Sequence, residues 1–265
     1  VPGIKSDFNV AILNEFMQRL KKNYYVKEDV LNAADYGVPQ VRKRFVLHAV
    51  RNDINEELKI IGFSFDLPKA TYDKKGSNGL KKWKTVRDAI GDLPALKAGE
   101  EYVDETGKIH NHKCAGLSDI NLKRIKAIRA NGGSRNGLPK SLILDCHKKK
   151  DKDGNVFSGH GDVYGIMDPD KPSPTITGGC LCYSKGRYGH YSQDRAISIR
   201  EAARLQTFPD DFVFSNSLTD SALQIGNAVP IDLVKSSGEV FKAAIKCIKM
   251  SRAKEGKKKN AVTTK

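Results

Sequence analysis

Apolar positions recur at three- and four-residue steps over residues 9–22, where Val10, Leu13, Phe16, Met17 and Leu20 fall on one helix face and Asp7 stands as a cap. Residues 24–30 and 45–50 then read as strands, the second more buried. Tyr36-Gly37-Val38-Pro39 between them is a turn that lets the two pair. The pattern breaks near Asn52. From there Gly, Asn, Lys and Asp become frequent, and the predicted elements shorten to a helix over Val86–Ile90, ended by Gly91, and a longer one over Asp119–Ala130. The longer helix has Ser118 as cap, Leu122, Ile125 and Ile128 as its apolar stripe, and Asn131-Gly132-Gly133 as a left-handed stop. Its other side carries Lys123, Arg124, Lys126 and Arg129, a face that suits either solvent or a DNA backbone. Residues 147–162 form a polar loop in which Asp153-Gly154 predicts a hairpin turn. Its Asp-x-Asp-Gly spacing lacks the closing glutamate of a calcium loop. Regular structure returns after Ile199. A helix starts over residues 200–206, and an amphipathic helix spans residues 232–250, with Leu233, Val234, Val240, Phe241, Ala244, Ile245 and Ile248 inward and Pro230 near its start. From Lys254 onward the chain reads as disordered.

At 265 residues and 39% hydrophobic, the chain suffices for one large domain or two small ones. No apolar run approaches the length of a membrane span, and the N-terminus shows no signal-peptide pattern, so a soluble, intracellular protein is expected. Charge adds more. Of the net +15, residues 251–265 contribute +5 and the body keeps +10. A folded body that basic points to a polyanion, because phosphate contacts dominate nucleic-acid affinity. Five scattered cysteines (Cys114, Cys146, Cys180, Cys182, Cys247) argue for reduced thiols rather than a disulfide framework. His110, His112, Cys114, Cys146 and His147 lack paired C-x-x-C spacing and read as polar loop chemistry, so no metal is expected.

Three short blocks concentrate the chemistry. In Gln40-Val41-Arg42-Lys43-Arg44, two arginines at alternate positions entering a strand share a face, where forked donors hold a phosphate or a carbonyl oxygen. The second block is Arg200-Glu201-Ala202-Ala203-Arg204-Leu205-Gln206-Thr207-Phe208-Pro209-Asp210. The third, Gln224-Ile225-Gly226-Asn227-Ala228-Val229-Pro230, joins a glycine that permits close backbone approach to a side chain that both donates and accepts. Together they resemble the last three conserved blocks of DNA cytosine-C5 methyltransferases of the bacterial, restriction-modification type. Thr175-Ile176, within Ser173-Pro174-Thr175-Ile176-Thr177-Gly178-Gly179, resembles that family's target-recognition pair. The stretches beginning at Thr85 and at Asp194 are likewise familiar from it.

The resemblance implies an α/β fold: the C-terminal portion of a Rossmann-like adenosylmethionine-dependent methyltransferase domain plus a mixed, loop-rich target-recognition domain. Residues 1–51 would hold the helix and strand pair of the catalytic domain, and residues 52–197 the recognition domain. Residues 198–250 would return to the catalytic domain, and residues 251–265 would be a basic tail. It also implies roles. Arg44 sits against the flipped cytosine, and Arg42 supports it, orders the nearby backbone and contacts DNA. Asn227, Ala228 and Val229 line the S-adenosylmethionine pocket, while Thr175, Ile176, Thr177, Gly178 and Gly179 face DNA. Arg200, Glu201 and Arg204 are architectural. The implied partner is duplex DNA, and the implied location is the bacterial cytoplasm at the nucleoid.

Parts of the family pattern are missing. No cysteine here follows a proline, whereas the family's nucleophile lies in a Pro-Cys-Gln loop. The glycine-rich turn that seats the cofactor and the Glu-Asn-Val tripeptide that carries the catalytic glutamate are also absent, and the chain begins Val1-Pro2-Gly3 as though within that tripeptide's motif. The expectation is a C-terminal part, inactive alone, that needs an N-terminal catalytic half from the same gene or a separate subunit. The alternative is a non-catalytic DNA-binding or regulatory subunit.

Overall fold

In the computed structural model, which describes residues 7–135, 138–145, 162–215 and 217–263 with side chains between Asn9 and Lys254, the first element is helix α1 (Asp7–Lys21). Asp7 is its first residue rather than its cap. Leu13 and Met17 are buried, whereas Val10 and Phe16 of the predicted inner face stay exposed. Strands β1 (Tyr24–Asn32) and β2 (Lys43–Arg51) pair antiparallel, from Tyr24 opposite Arg51 to Asn32 opposite Lys43, as the intervening turn predicts. That turn is a 3-10 segment, Ala33–Tyr36, closed by Gly37 at φ 85°. That left-handed conformation favours glycine, and a Cβ there would also stand 2.8 Å from the Tyr72 ring, which would have to shift.

Helix α2 (Asn52–Ile60) begins where the sequence pattern breaks. Its Leu58 packs with Phe65 and with Ala244 and Ile248 of the C-terminal helix, so this segment continues the body built on β1 and β2. Strands β3 (Tyr72–Asp73) and β4 (Lys81–Lys82) form a short parallel pair. Helix α3 (Val86–Ile90) starts at a capping box made by Thr85 and Asp88. Strands β5 (Glu101–Tyr102) and β6 (His112–Lys113) form an antiparallel pair.

Helix α4 (Asp119–Ala130) matches its predicted bounds. Ser118 stands at its cap position without a side-chain cap bond, and Gly132 and Gly133 take φ 70° and 84°. Ile125 and Ile128 are buried against Tyr164, Ile166, Tyr183 and Ala196. Arg129, on the face read as solvent- or DNA-facing, turns inward instead. It donates to Asp194 Oδ1 (2.9 Å) and to the carbonyls of Tyr191 (2.6 Å) and His190 (3.1 Å). The hairpin turn at Asp153-Gly154 lies outside the described residues.

Helices α5 (Ile199–Leu205), α6 (Leu218–Asn227) and α7 (Ile231–Thr263) close the fold. The main core joins Ile199, Ala202, Ala203 and Leu205 to Val86, Ile90, Ile176 and Ile225. On α7, Leu233, Ala244 and Ile248 are buried as predicted, but Val234 and Ile245 are exposed. The helix also continues to Thr263, where disorder was expected. Ala253, Glu255 and the lysines of that stretch are strong helix formers even though its amphipathic pattern has ended. Among the described residues no helix is long and apolar enough to cross a membrane.

The turn after α5 fastens the start of α7. Gln206 O accepts from Ile231 N (3.3 Å), and the Thr207 hydroxyl accepts from Asp232 N (3.1 Å). This satisfies helix N–H groups that lack a partner within the helix. Thr207→Ala is expected to cost about 1 kcal/mol, read as a lower denaturation midpoint at unchanged m-value.

Candidate functional site

The three blocks meet in one buried polar joint. Gln40 and Ser173 form a parallel bridge in which Ser173 N donates to Pro39 O (2.9 Å) and Val41 N to Ser173 O (2.9 Å). The Gln40 amide, fully buried, donates to Leu205 O (3.0 Å) and Gln206 Oε1 (3.1 Å) and accepts from Ile176 N (2.9 Å). Gln206 extends the chain by donating to Ile225 O (2.7 Å). Arg42 is 3% exposed. Its guanidinium donates to Ile176 O, to Gly226 O (2.8 Å) and to Ala228 O (3.1 Å), tying β2, the segment 173–179 and the end of α6 together. Burial, reinforced by Arg44, lowers its pKa to about 10, which leaves it cationic at neutral pH. α6 meets the segment 173–179 backbone to backbone, since a Cβ on Gly226 would lie 2.2 Å from Gly178 N.

The structure places the residues expected to face DNA as follows. Arg42 is buried with its donors on backbone carbonyls, so it organises the site and does not reach outward. Ile176 is fully buried in the main core. Thr175 is half-buried and donates to Val41 O (2.9 Å). Thr177 is exposed, its hydroxyl 2.9 Å from that of Tyr188. Gly178 and Gly179 are half-buried against Leu223 and Lys185. They also border a cavity of about 310 Å³ whose wall includes Asn121, Lys185 and Ala222. Arg44 is half-buried on β2, and burial lowers its pKa. Asn227 is exposed, Ala228 half-buried and Val229 48% exposed, so the end of α6 presents an amide and an apolar side chain on open surface.

The α5 block is structural throughout. Arg200 donates to the carbonyls of His110 (2.6 Å), Pro209 (2.7 Å) and Phe212 (2.5 Å). Arg204 grips the Asp210 carboxylate through two bonds (2.8 and 2.6 Å) and also reaches Asp92. Glu201 completes a capping box with Ser198 and binds buried Arg195 through two 2.7 Å bonds. Of the residues weighed as metal ligands, His112 and Cys114 have other partners. His112 lies between the Ser198 hydroxyl (2.9 Å) and Pro94 O (2.8 Å), and Cys114 Sγ donates to Lys97 O (3.1 Å). Cys146 and His147 lie outside the described residues. The sequence reading gave no role to Gln40, Gln206, Arg195 or His190. The two glutamines stood inside the quoted blocks, and that placement was the available signal.

A family model described as C-5 cytosine-specific DNA methylase matches residues 1–243. The type II methylase M.HgiDII of Herpetosiphon aurantiacus is 38% identical over 251 residues, covering 93% of this chain and 62% of the relative. The type II methyltransferase M1.HphI of Haemophilus parahaemolyticus is 37% identical over 229 residues, covering 86% of this chain and 50% of the relative. This chain therefore spans half to about three-fifths of the length of these curated relatives. A solved prophage-encoded DNA modification methyltransferase (E. coli) superimposes with a TM-score of 0.53 at 20% identity, covering 93% of this chain and 68% of that one, which assigns the α/β methyltransferase fold. The blocks that the joint at Gln40 and Arg42 draws together are thus set in a match that runs through nearly all of the sequence, and the chain belongs to the C-5 cytosine-specific DNA methylase family.

Proposed function

We propose that this chain is the target-recognition and C-terminal part of a DNA cytosine-C5 methyltransferase. Joined to a segment that bears the nucleophile, it methylates a flipped cytosine in duplex DNA. The observation that carries this reading is the joint itself: Arg42 holds the recognition segment at Ile176 and the α6 end at Gly226 and Ala228 with one guanidinium. In this reading residues 1–51 and 198–250 belong to the catalytic domain and residues 52–197 read the target.

The chemistry sets requirements that the chain meets in part. A cytosine must leave the stack, and a thiolate must add to C6 before C5 becomes nucleophilic. Arg44 supplies positive charge and forked donors for the base carbonyl. Asn227 offers a donor and an acceptor, and Val229 an apolar face, on open surface that suits one wall of an S-adenosylmethionine site. That cofactor supplies an electrophilic methyl group. Two of the thiols are poorly suited to be the nucleophile. Burial pushes the Cys180 thiol up to about 12 and raises that of Cys114, so neither is poised as a thiolate. Exposed Val10, Ile12 and Phe16 on α1, beside a sheet of only two strands, support the packing of a further segment there.

The test is methyl transfer by mixture. The chain is combined with the part of M.HgiDII that it does not cover, and labelled methyl groups are counted on duplex DNA. Neither polypeptide alone is expected to transfer methyl. The mixture is, and Arg44→Ala is expected to abolish it. Transfer by this chain alone would overturn the reading, as would a folded complex that stays inert.

A further inference from the structure

Residues 68–84 carry six lysines (Lys69, Lys74, Lys75, Lys81, Lys82 and Lys84) and a single acidic residue, Asp73. The segment is built rather than loose. Tyr36 Oη donates to Pro68 O (2.9 Å), Thr71 N to Asp35 O (3.0 Å) and Trp83 Nε1 to Asp35 Oδ1 (2.9 Å), which fixes both ends to the turn before Gln40. Between them β3 and β4 pair, with Lys81 N donating to Thr71 O (3.1 Å) and Trp83 N to Asp73 O (2.8 Å).

Asp73 does not neutralise these lysines. Its carboxylate accepts from the backbone N–H groups of Ser77 (3.0 Å), Gly76 and Lys75 (2.7 Å), and those donors, led by Ser77, hold its pKa below the usual range. Among the described residues none of the six ammonium groups forms an ion pair with a carboxylate. Lys69, Lys74, Lys75, Lys81 and Lys82 are exposed. Lys84 borders a surface pocket shared with Pro39 and Arg204, so the platform adjoins the joint.

We propose that this loop is a phosphate-contact platform that grips the backbone of duplex DNA beside the methylation site, with Lys74, Lys75, Lys81 and Lys82 as its contacts. The proposal rests on the reading of the chain as part of a DNA methyltransferase. Two lysine pairs, one on the turn and one on β4, present several separated point charges, which suits a row of phosphates better than a single anion. Ammonium groups without planar forks supply affinity and register rather than sequence choice.

The experiment is a salt series of duplex DNA binding by fluorescence anisotropy on the full chain. It compares the unmodified chain, K74Q/K75Q/K81Q/K82Q, the turn pair K74Q/K75Q alone, and a control with equal charge loss on α1, the residue after it and α7, K21Q/K22Q/K246Q/K249Q. All eight side chains are exposed. The quadruple platform variant is expected to lose at least about tenfold in affinity at low salt and to lower the slope of log K against log salt by about 3 to 4, at roughly 0.9 per phosphate contact. The pair variant gives about half that slope change, and the control changes affinity less than about threefold. Equal weakening by platform and control, unchanged binding by the platform variants, or no duplex binding by the unmodified chain would each overturn the platform. Methyl transfer by the mixture described above reports on the underlying reading separately, so an active mixture with an unchanged slope removes the platform alone.

Discussion

Gly226→Ala is expected to destabilise the chain by about 3 kcal/mol or more, the largest loss a single added methyl group produces here. The new Cβ would lie 2.2 Å from Gly178 N, 2.2 Å from Thr177 C and 2.6 Å from Thr177 O. All three are backbone atoms, so no side-chain rotation relieves the overlap and α6 must move off residues 177–178. Such a movement also pulls Gly226 O from Arg42 (2.8 Å), so the joint loosens at the same time. Helix propensity works the other way: alanine in place of an interior helical glycine gains up to about 1 kcal/mol. The steric term wins because backbone atoms inside a packed core cannot yield by several tenths of an ångström at several points. Gly238→Ala isolates the propensity term, since a Cβ there meets nothing within 4 Å and Gly238 lies in α7. Denaturant unfolding of the two variants is therefore expected to shift in opposite directions. Similar shifts would remove the close backbone contact between α6 and residues 177–178.

The sequence revealed most where local and tertiary preferences agree. The bounds of α3 and α4 followed from Gly91 after the first, and from Ser118, the stripe of Leu122, Ile125 and Ile128 and the stop at Gly132-Gly133 for the second. Packing faces were harder to read. Val10, Phe16, Val234 and Ile245 satisfy the helical period yet remain exposed, because period fixes a face and not what covers it. The site was legible as blocks and not as bonds. Spacing placed Arg42 on one side of a strand, but its three carbonyl acceptors lie 134 to 186 residues away in sequence, and only the fold brings them together. The same separation hid Gln40, whose bonds reach Leu205, Gln206 and Ile176. Buried pairing also turned Arg129 from a surface charge into an internal tie.

Arg195→Met is expected to cost about 3–5 kcal/mol at pH 8 and to reverse the way stability depends on pH. Arg195 and Glu201 are both buried, and the carboxylate also accepts from Ser198 N (2.7 Å) with His190 Nε2 at 3.5 Å. Burial alone would raise the Glu201 pKa, yet the Arg195 bonds and charge, with His190 and the Ser198 amide, together bring it below the usual value. Burial likewise holds His190 at about 4 against an ordinary 6.5, despite the nearby carboxylate, and its Nδ1 accepts from the backbone N–H groups of Ser192 and Gln193 (3.1 Å each). In the unmodified chain both groups therefore bind protons more readily when unfolded. Stability falls as pH drops from about 6.5 toward 4, by up to about 3 kcal/mol from His190, and Glu201 adds to the loss at the acid end. Without Arg195 the buried carboxylate keeps its desolvation cost and loses its main counter-charge. A proton on Glu201 or on His190 then relieves it, so the folded state binds that proton more tightly than the unfolded chain does. Stability of the variant is present at low pH and is lost as pH rises through the raised value. Denaturant unfolding at pH 8 and pH 5.5 separates the two: the unmodified chain weakens on acidification and the variant strengthens. Parallel pH profiles would show that Arg195 does not set the charge balance of this core.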